Sequence, residues 1–362
     1  MVSLGFYITI MGLLVLPASD YFVGLFIFPK VKPSTKLDEI SSRALDGISA
    51  IIACHNEVEH IELKVLEIHS QFKDAGVMTY EIIVVSDGSD DGSNKVLERL
   101  ATENSIVYRL VTERQGKPNS LNVGVEIAQY PLLLFSDVRQ TFDKNSVKYL
   151  LSNLSDPEVG AVTSQLELEG KASPSRKFMN QLKQLESLKG STTGMCGALY
   201  LIRHSLVLKP FPKDVILDDL LVALNVMKNH KRVVLEPRAI VRDVNWNLFY
   251  SGRRQGRITA GLVQILRHHR GLLFSIGLKQ LIFLYGQKYL KYVAPVLFTA
   301  ASVFALFTTS EIRFWHFAIS GLLFLLLAIA RPMFVLETVR LVLSYMSQLL
   351  KLDKYRKIKW ER

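Results

Sequence analysis

The stretch IVYRLVTERQGKPNSLNVGV, residues Ile106–Val125, opens like a buried strand and closes like a helix. Between the two lie Arg114, Gly116 and Lys117, two cations around a glycine. A solvated turn would account for them in isolation. A site for a phosphate-bearing ligand accounts for them better once their neighbours are read. Upstream, Ile48–Cys54 (ISAIIAC) is a nearly all-apolar, isoleucine-rich run, the pattern of a strand buried on both faces. Glu57 to Lys73 has helical spacing. Tyr80–Val85 is the next buried strand, and it runs into Ser86-Asp87-Gly88-Ser89-Asp90-Asp91-Gly92-Ser93. A helix follows, then the strand at Ile106–Val111 and the helix from Asn119. Pro131–Phe135 is a fourth strand, ending in Ser136-Asp137-Val138-Arg139. Strands alternating with helices predict an α/β fold, a mostly parallel sheet with crossover helices.

In such sheets ligands bind beyond the carboxyl ends of the strands. His55, Asn56 and Glu57 end the first strand, Asp87 the second, and Asp137 the fourth, while Arg114 and Lys117 follow the third. All four polar clusters therefore belong on one edge, where a nucleoside diphosphate is the expected ligand. Lys117 and Arg114 can neutralise phosphate oxygens. Asp137 can hold a divalent cation, Mg or Mn, that bridges them. Asp87 can accept hydrogen bonds from a base or ribose. Further on, Gly194-Met195-Cys196-Gly197-Ala198 is a loop of mostly small residues. Gly194 and Gly197 suit a tight turn, and small residues there would also let a ligand ring approach the backbone. The run VILDDLLVAL reads, by itself, as a helix N-terminus capped by Asp218 or Asp219.

The chain has 362 residues, with 44 Lys+Arg against 33 Asp+Glu and a net charge of +11. Its mean hydropathy is +0.21. Basic and apolar together point to a membrane protein facing anionic lipid rather than to a nucleic-acid binder. The cysteines, Cys54 and Cys196, give no disulfide framework and no zinc spacing, as expected in a reducing compartment. Leu4–Phe28, Tyr292–Thr309 and Phe314–Ala330 are each near the roughly 17–20 apolar residues needed to cross hydrocarbon. Lys30, Lys32 and Lys36 follow the first span, and Lys351, Lys354, Arg356, Lys357 and Lys359 follow the last. Basic flanks stay cytoplasmic, which predicts an integral membrane protein of the inner or plasma membrane with its N-terminus outside. Residues 1–36 are then a transmembrane helix and basic linker, and residues 37–270 a cytoplasmic domain. Residues 271–362 hold two further spans, interfacial helices at Gly271–Leu290 and Phe334–Leu350, and a basic tail.

The pieces IIACHNE, VVSDGSDDGS, RQGKPNSLNVG, LLLFSDVRQ, GMCGALYLIR, VILDDL and RRQGRITAGL, in this order from Ile48 to Leu262, resemble the motifs of family 2 glycosyltransferases. The resemblance is to membrane-bound, polysaccharide-type synthases, such as those making hyaluronan, cellulose or poly-N-acetylglucosamine. It implies the GT-A fold, a UDP-linked donor and inverting transfer to a lipid-linked or growing polysaccharide acceptor. It places Glu57 and Asp87 on the uridine, Lys117 near the phosphates, and Asp137 at the first position of an Asp-x-Asp metal motif. Asp219 stands at the position of the catalytic base, with Asp218 as its orienting neighbour. Arg254 and Arg257 match a Gln/Arg-x-x-Arg-Trp element that lies against the donor diphosphate, and a spacing of three sets them on one helix face. The lipid bilayer and other polysaccharide-assembly proteins are the partners implied.

Two positions depart from the pattern. Arg139 replaces the second Asp of the metal motif, so the cation rests on Asp137 and the diphosphate, or Arg139 supplies the positive charge itself. Ile258 replaces the Trp of processive synthases, which sets single-sugar transfer beside polymerisation. A membrane-anchored scaffold or binding subunit derived from a transferase is the alternative reading.

Overall fold

The computed structural model describes residues 47–103, 106–169, 174–243 and 248–290, with scattered positions between 303 and 318. Eight strands form one sheet: β1 (Ile48–Cys54), β2 (Tyr80–Asp87), β3 (Val107–Val111), β4 (Leu132–Ser136), β5 (Thr141–Phe142), β6 (Val159–Leu168), β7 (Leu199–Arg203) and β8 (Arg232–Asp243). Their order is β3-β2-β1-β4-β7-β6-β8-β5. The β3-β2-β1-β4 half is parallel throughout. β7 then runs antiparallel between β4 and β6, β8 is parallel to β6, and β5 is antiparallel to β8. The sheet is thus mixed, with the expected parallel half carrying the first four strand ends.

Strands β2, β1 and β4 are covered on both faces, which is why they read as unbroken apolar runs. Helix α1 (Ile61–Asp74) buries Ile61, Val65, Ile68 and Phe72, a spacing that puts all four on one stripe. They share a core with Ile48, Ala50 and Ile52 of β1. Each such side chain, fully buried, contributes about 1.5–3 kcal/mol of hydrophobic stabilisation. Helix α2 (Ser93–Thr102) joins this layer through Leu97 and Leu100. Ile51 points the other way, toward helix α3 (Lys117–Ile127). A Cβ at Gly124 would lie 2.5 Å from Ile51 Cγ2, so α3 seats on the sheet only because this residue is glycine.

Two local expectations change. The strand at Ile106–Val111 is not buried: β3 is the sheet edge, and Arg109 and Leu110 are exposed. Its apolar residues reflect β-propensity and one covered face rather than two. The third helix begins at Lys117, two residues early, with Gly116 at the N-cap and Pro118 in the first turn, where its missing N–H costs nothing.

Helices α4 (Ser146–Ser152), α5 (Pro174–Leu188) and α6 (Asp218–Lys228) complete the sheet-bearing unit, which also takes in residues 264–280. Among the described residues, 248–263 and 281–290 belong to a second compact unit. Helix α7 (Leu248–His268) begins in the second unit and ends in the first. The spans expected at Leu4–Phe28, Tyr292–Thr309 and Phe314–Ala330, and the amphipathic stretch Phe334–Leu350, lie outside the described residues apart from those scattered positions. Among the described residues no helix is long and apolar enough to cross a membrane. Gly271–Leu290, expected to be interfacial, is broken into α8 (Arg270–Phe274), α9 (Leu278–Leu284) and a π-helical turn at Tyr285–Leu290. Phe274 and Leu278 of this stretch are 77% and 73% exposed.

Candidate active site

The parallel strands deliver their polar ends to one cavity of about 280 Å³, lined by residues that include His55, Asn56, Glu57, Asp87, Arg114, Lys117, Ser120, Asp137 and Arg139. The loops after β1 and β2 are tied together below it. Asn56 Nδ2 donates to Asp90 Oδ1 at 2.8 Å, and the Asp90 N–H returns a bond to Asn56 Oδ1 at 2.9 Å. The Glu57 N–H donates to Ser93 Oγ at 2.9 Å, and His55 Nδ1–H to the Asp87 carbonyl at 2.7 Å.

Asp87 is buried, and its carboxylate grips the next loop. Oδ1 accepts the Gln115 N–H and Oδ2 the Gly116 N–H, each at 2.7 Å. Gly88 allows the approach: its φ is +63°, and a Cβ there would lie 2.7 Å from Arg114 N. Asp87, expected to meet a base or ribose, builds the cation-bearing loop in this structure. That loop turns through Gly116, at φ +97°, and hands Lys117 to the first turn of α3.

Lys117 is the junction of the site. Its Nζ lies 2.8 Å from Asp137 Oδ1 and 3.5 Å from Asp218 Oδ2. Asp218 and Asp219 open α6, but neither is its cap: Leu217 holds the N-cap position. Both carboxylates instead sit in the first turn, where the helix dipole favours negative charge. Asp219 is half-buried, and its Oδ1 accepts the Leu220 N–H at 2.8 Å. Asp218 is buried, and among the described residues its Oδ2 accepts no hydrogen bond. Burial pushes the Asp218 carboxyl above the usual carboxylate range; Lys117 pulls it down, and the charges of Asp219 and Asp137 push it up. Tyr200, stacked on Phe135, is raised in the same way by burial and by Asp218, Asp219 and Asp137.

Arg139 donates from Nε to Glu57 Oε2 at 2.7 Å. Its side chain is 44% exposed, against 6% for Glu57. Arg114 is half-buried and, among the described residues, has no ion-pair partner. The lining thus holds three cations and three carboxylates, yet the carboxylates are spent. Glu57 answers Arg139, Asp137 answers Lys117, and Asp87 answers two amides. Arg114 is the positive charge left over, which suits a phosphate.

The small-residue loop is held from behind. Buried Glu186 accepts the Thr193 N–H at 2.9 Å and the Thr192 hydroxyl at 3.1 Å, and the Cys196 N–H donates to Thr163 Oγ1 at 2.7 Å. Gly194 is buried in this loop, whereas Gly197 is part-exposed and faces Asp219. Arg254 and Arg257 lie three residues apart on α7, in the stretch assigned to the second compact unit.

The expected divalent cation does not fit these residues. Among the described residues no group of three His, Cys, Asp or Glu side chains could hold a metal ion. Of the Asp-x-Asp pair only Asp137 is a carboxylate, and Lys117 already occupies its Oδ1. Unit charges about 4 Å apart near a protein surface repel by about 4 kcal/mol, and a dication beside the ammonium doubles this. Mg or Mn at Asp137 would require Lys117 to leave.

Three participants escaped the sequence reading. Ser120 lines the cavity one turn beyond Lys117, with its hydroxyl buried and lacking a hydrogen-bond partner among the described residues. The helical spacing of Lys117 and Ser120 was the available signal. Glu186 and Tyr200 had none: Glu186 reaches back across an irregular loop to Thr192 and Thr193, and Tyr200 meets Phe135 and the Asp218 charge only through the fold.

Residues 49–208 match Glycosyl transferase family 2. The chain is 28% identical over 223 residues to the poly-beta-1,6-N-acetyl-D-glucosamine synthase of Staphylococcus aureus (strain COL), covering 58% of this chain and 51% of that protein. The synthase of the same name from Staphylococcus epidermidis is 26% identical over 232 residues, covering 59% of this chain and 54% of that one. The chain therefore spans about half the length of the curated relatives it matches. The solved mannosyltransferase PcManGT from Pyrobaculum calidifontis, in complex with GDP-Man and Mn2+, superposes with a TM-score of 0.68 at 22% identity, covering 96% of this chain and 98% of that one. With the parallel half-sheet and its ordered polar strand ends in place, residues 49–208 carry a Glycosyl transferase family 2 domain, and the described sheet has the GT-A-like fold.

Proposed function

We propose that the protein is an inverting, membrane-bound glycosyltransferase that moves a sugar from a UDP-linked donor to a saccharide or lipid-linked acceptor. The observation that carries this reading is the Lys117 bridge. One ammonium joins Asp137, on the donor cavity, to Asp218, beside the proposed base. A donor diphosphate beside Lys117 would therefore bring its sugar toward Asp219. Asp219 is the better base of the two acids because it is part-exposed and can meet an acceptor hydroxyl. Asp218, buried and bound to Lys117, is the positioning residue. Asp219 takes the proton of the acceptor hydroxyl as its oxygen attacks the anomeric carbon. The nucleoside diphosphate leaves with the bonding electrons, and cations of the cavity meet its charge. Glu57 and Asp87 would border the nucleoside, Gly197 the acceptor, and Arg254 with Arg257 the diphosphate.

The relatives' names make N-acetylglucosamine the first donor sugar to test and mannose the second. Membrane attachment is supported by the apolar, lysine-flanked segments of the sequence and by the exposed Phe274 and Leu278. Other polysaccharide-assembly proteins are the proposed partners.

The test is nucleoside diphosphate release by the full chain in detergent, across a panel of nucleotide sugars, beside Asp219→Asn. Release from one donor, abolished in a variant that still binds it, supports the transferase. Donor binding that never yields release, even with membrane lipid extract added as an acceptor source, assigns the scaffold role instead.

A further inference from the structure

We infer that the charge of the donor diphosphate is met by Arg139, Lys117 and Arg114, and that nucleotide binding by this protein requires no divalent cation. The inference rests on the transferase reading above and concerns the same cavity.

Charge arithmetic is the first support. The motif the sequence resembles places an aspartate at position 139, and that aspartate with a divalent ion sums to −1 + 2 = +1. Arg139 alone carries +1. The substitution thus keeps the site's net charge while removing both the metal and its ligand. Geometry is the second. Arg139 is anchored at Nε by the buried Glu57, which fixes the side chain and leaves its two Nη groups, without bonds among the described residues, for oxygen acceptors. A planar guanidinium held in this way suits paired phosphate oxygens. The third support is Lys117, whose ammonium sits 2.8 Å from the one motif carboxylate a metal would need. Arg114, on the same cavity wall and without an ion-pair partner among the described residues, adds a third donor group.

The chemical step balances with these groups alone. The bond from the anomeric carbon to the diphosphate oxygen breaks, and its electron pair stays on that oxygen. The bond from acceptor oxygen to anomeric carbon forms, and the acceptor proton passes to Asp219. The diphosphate gains one negative charge, which the guanidinium and ammonium groups offset through hydrogen bonds already in place.

The test is calorimetric titration of the full chain in detergent with UDP, GDP, CDP and dTDP, each in EDTA, MgCl2 and MnCl2. For the nucleotide that binds, the wild-type Kd is expected to agree within about threefold across the three conditions, a difference below that of one charge-assisted hydrogen bond. Arg139→Met and Arg114→Met should each weaken binding by about tenfold to a hundredfold, the loss of one or two such bonds. Arg139→Asp should bind poorly in EDTA and recover by about tenfold in MnCl2, because it recreates the missing carboxylate. Wild-type binding that collapses in EDTA and returns with Mn2+ overturns the inference while leaving the transferase reading intact. Absence of binding by every nucleotide in every condition overturns both. The wild-type conditions decide the matter without any variant having to fold.

Discussion

Asp87→Asn tests whether this carboxylate is the clamp that shapes the cation loop. Asp87 is 4% exposed, and each of its oxygens accepts one amide N–H at 2.7 Å, from Gln115 and from Gly116. Asparagine keeps one acceptor and turns an NH2 donor against the second N–H. A hydrogen bond to a charged group contributes about 1.5–3 kcal/mol, so opening of the loop should become easier by that amount. At 1.36 kcal/mol per factor of ten, this is about a 10- to 150-fold rise in local opening. Hydrogen exchange of the full chain in detergent, read by mass spectrometry on peptides spanning Gln115 and Gly116, measures it directly. Faster exchange should be confined to this loop, with the peptides of β1 and β4 unchanged. Asp87→Ala, which removes both bonds, should double the free-energy effect to about 3–6 kcal/mol. Exchange of the 115–116 amides that stays within about twofold of wild type, in a protein whose strands remain protected, would refute the clamp.

Three further outcomes follow from the same geometry. Gly88→Ala forces a Cβ to within 2.7 Å of Arg114 N at a φ of +63°, so it should cost at least about 1–3 kcal/mol and lower the thermal midpoint by several degrees; an unchanged midpoint contradicts the close approach. Cys54 is pushed up from 9.0 to about 12, first by burial and then by the charges of Glu57 and Asp91. At pH 8 its thiolate fraction falls about a thousandfold, so native iodoacetamide labelling should be slower by at least that factor than in the denatured chain, and comparable rates would show the thiol is not buried. Asp218 has its folded pKa raised, so the folded state holds its proton more tightly and this contribution to stability is lost as pH rises from the usual carboxylate range through the raised value. Asp218→Asn should therefore be more stable than wild type at pH 8, with the gap closing toward pH 4; a gap independent of pH in thermal unfolding would exclude Asp218 as its source.

Local pattern determined much of this protein. Ile48–Cys54, Tyr80–Val85 and Pro131–Phe135 are apolar because their strands are covered on both faces, and the Ile61, Val65, Ile68, Phe72 stripe follows from one helix on one layer. The polar residues closing those strands had to share an edge, since parallel strands point their ends the same way. These are short-range regularities of period two or 3.6, and a chain read alone displays them. Tertiary structure decided the rest. It put β3 at the sheet edge and β7 antiparallel between β4 and β6. It turned Asp87 toward the loop amides, paired Arg139 with Glu57 across 82 positions, and set Lys117 between Asp137 and Asp218. Residue type says that a carboxylate needs a partner when buried, but several cations along the chain could satisfy it. Which one does so depends on where the packed sheet brings the strand ends and loops, and no local period carries that information.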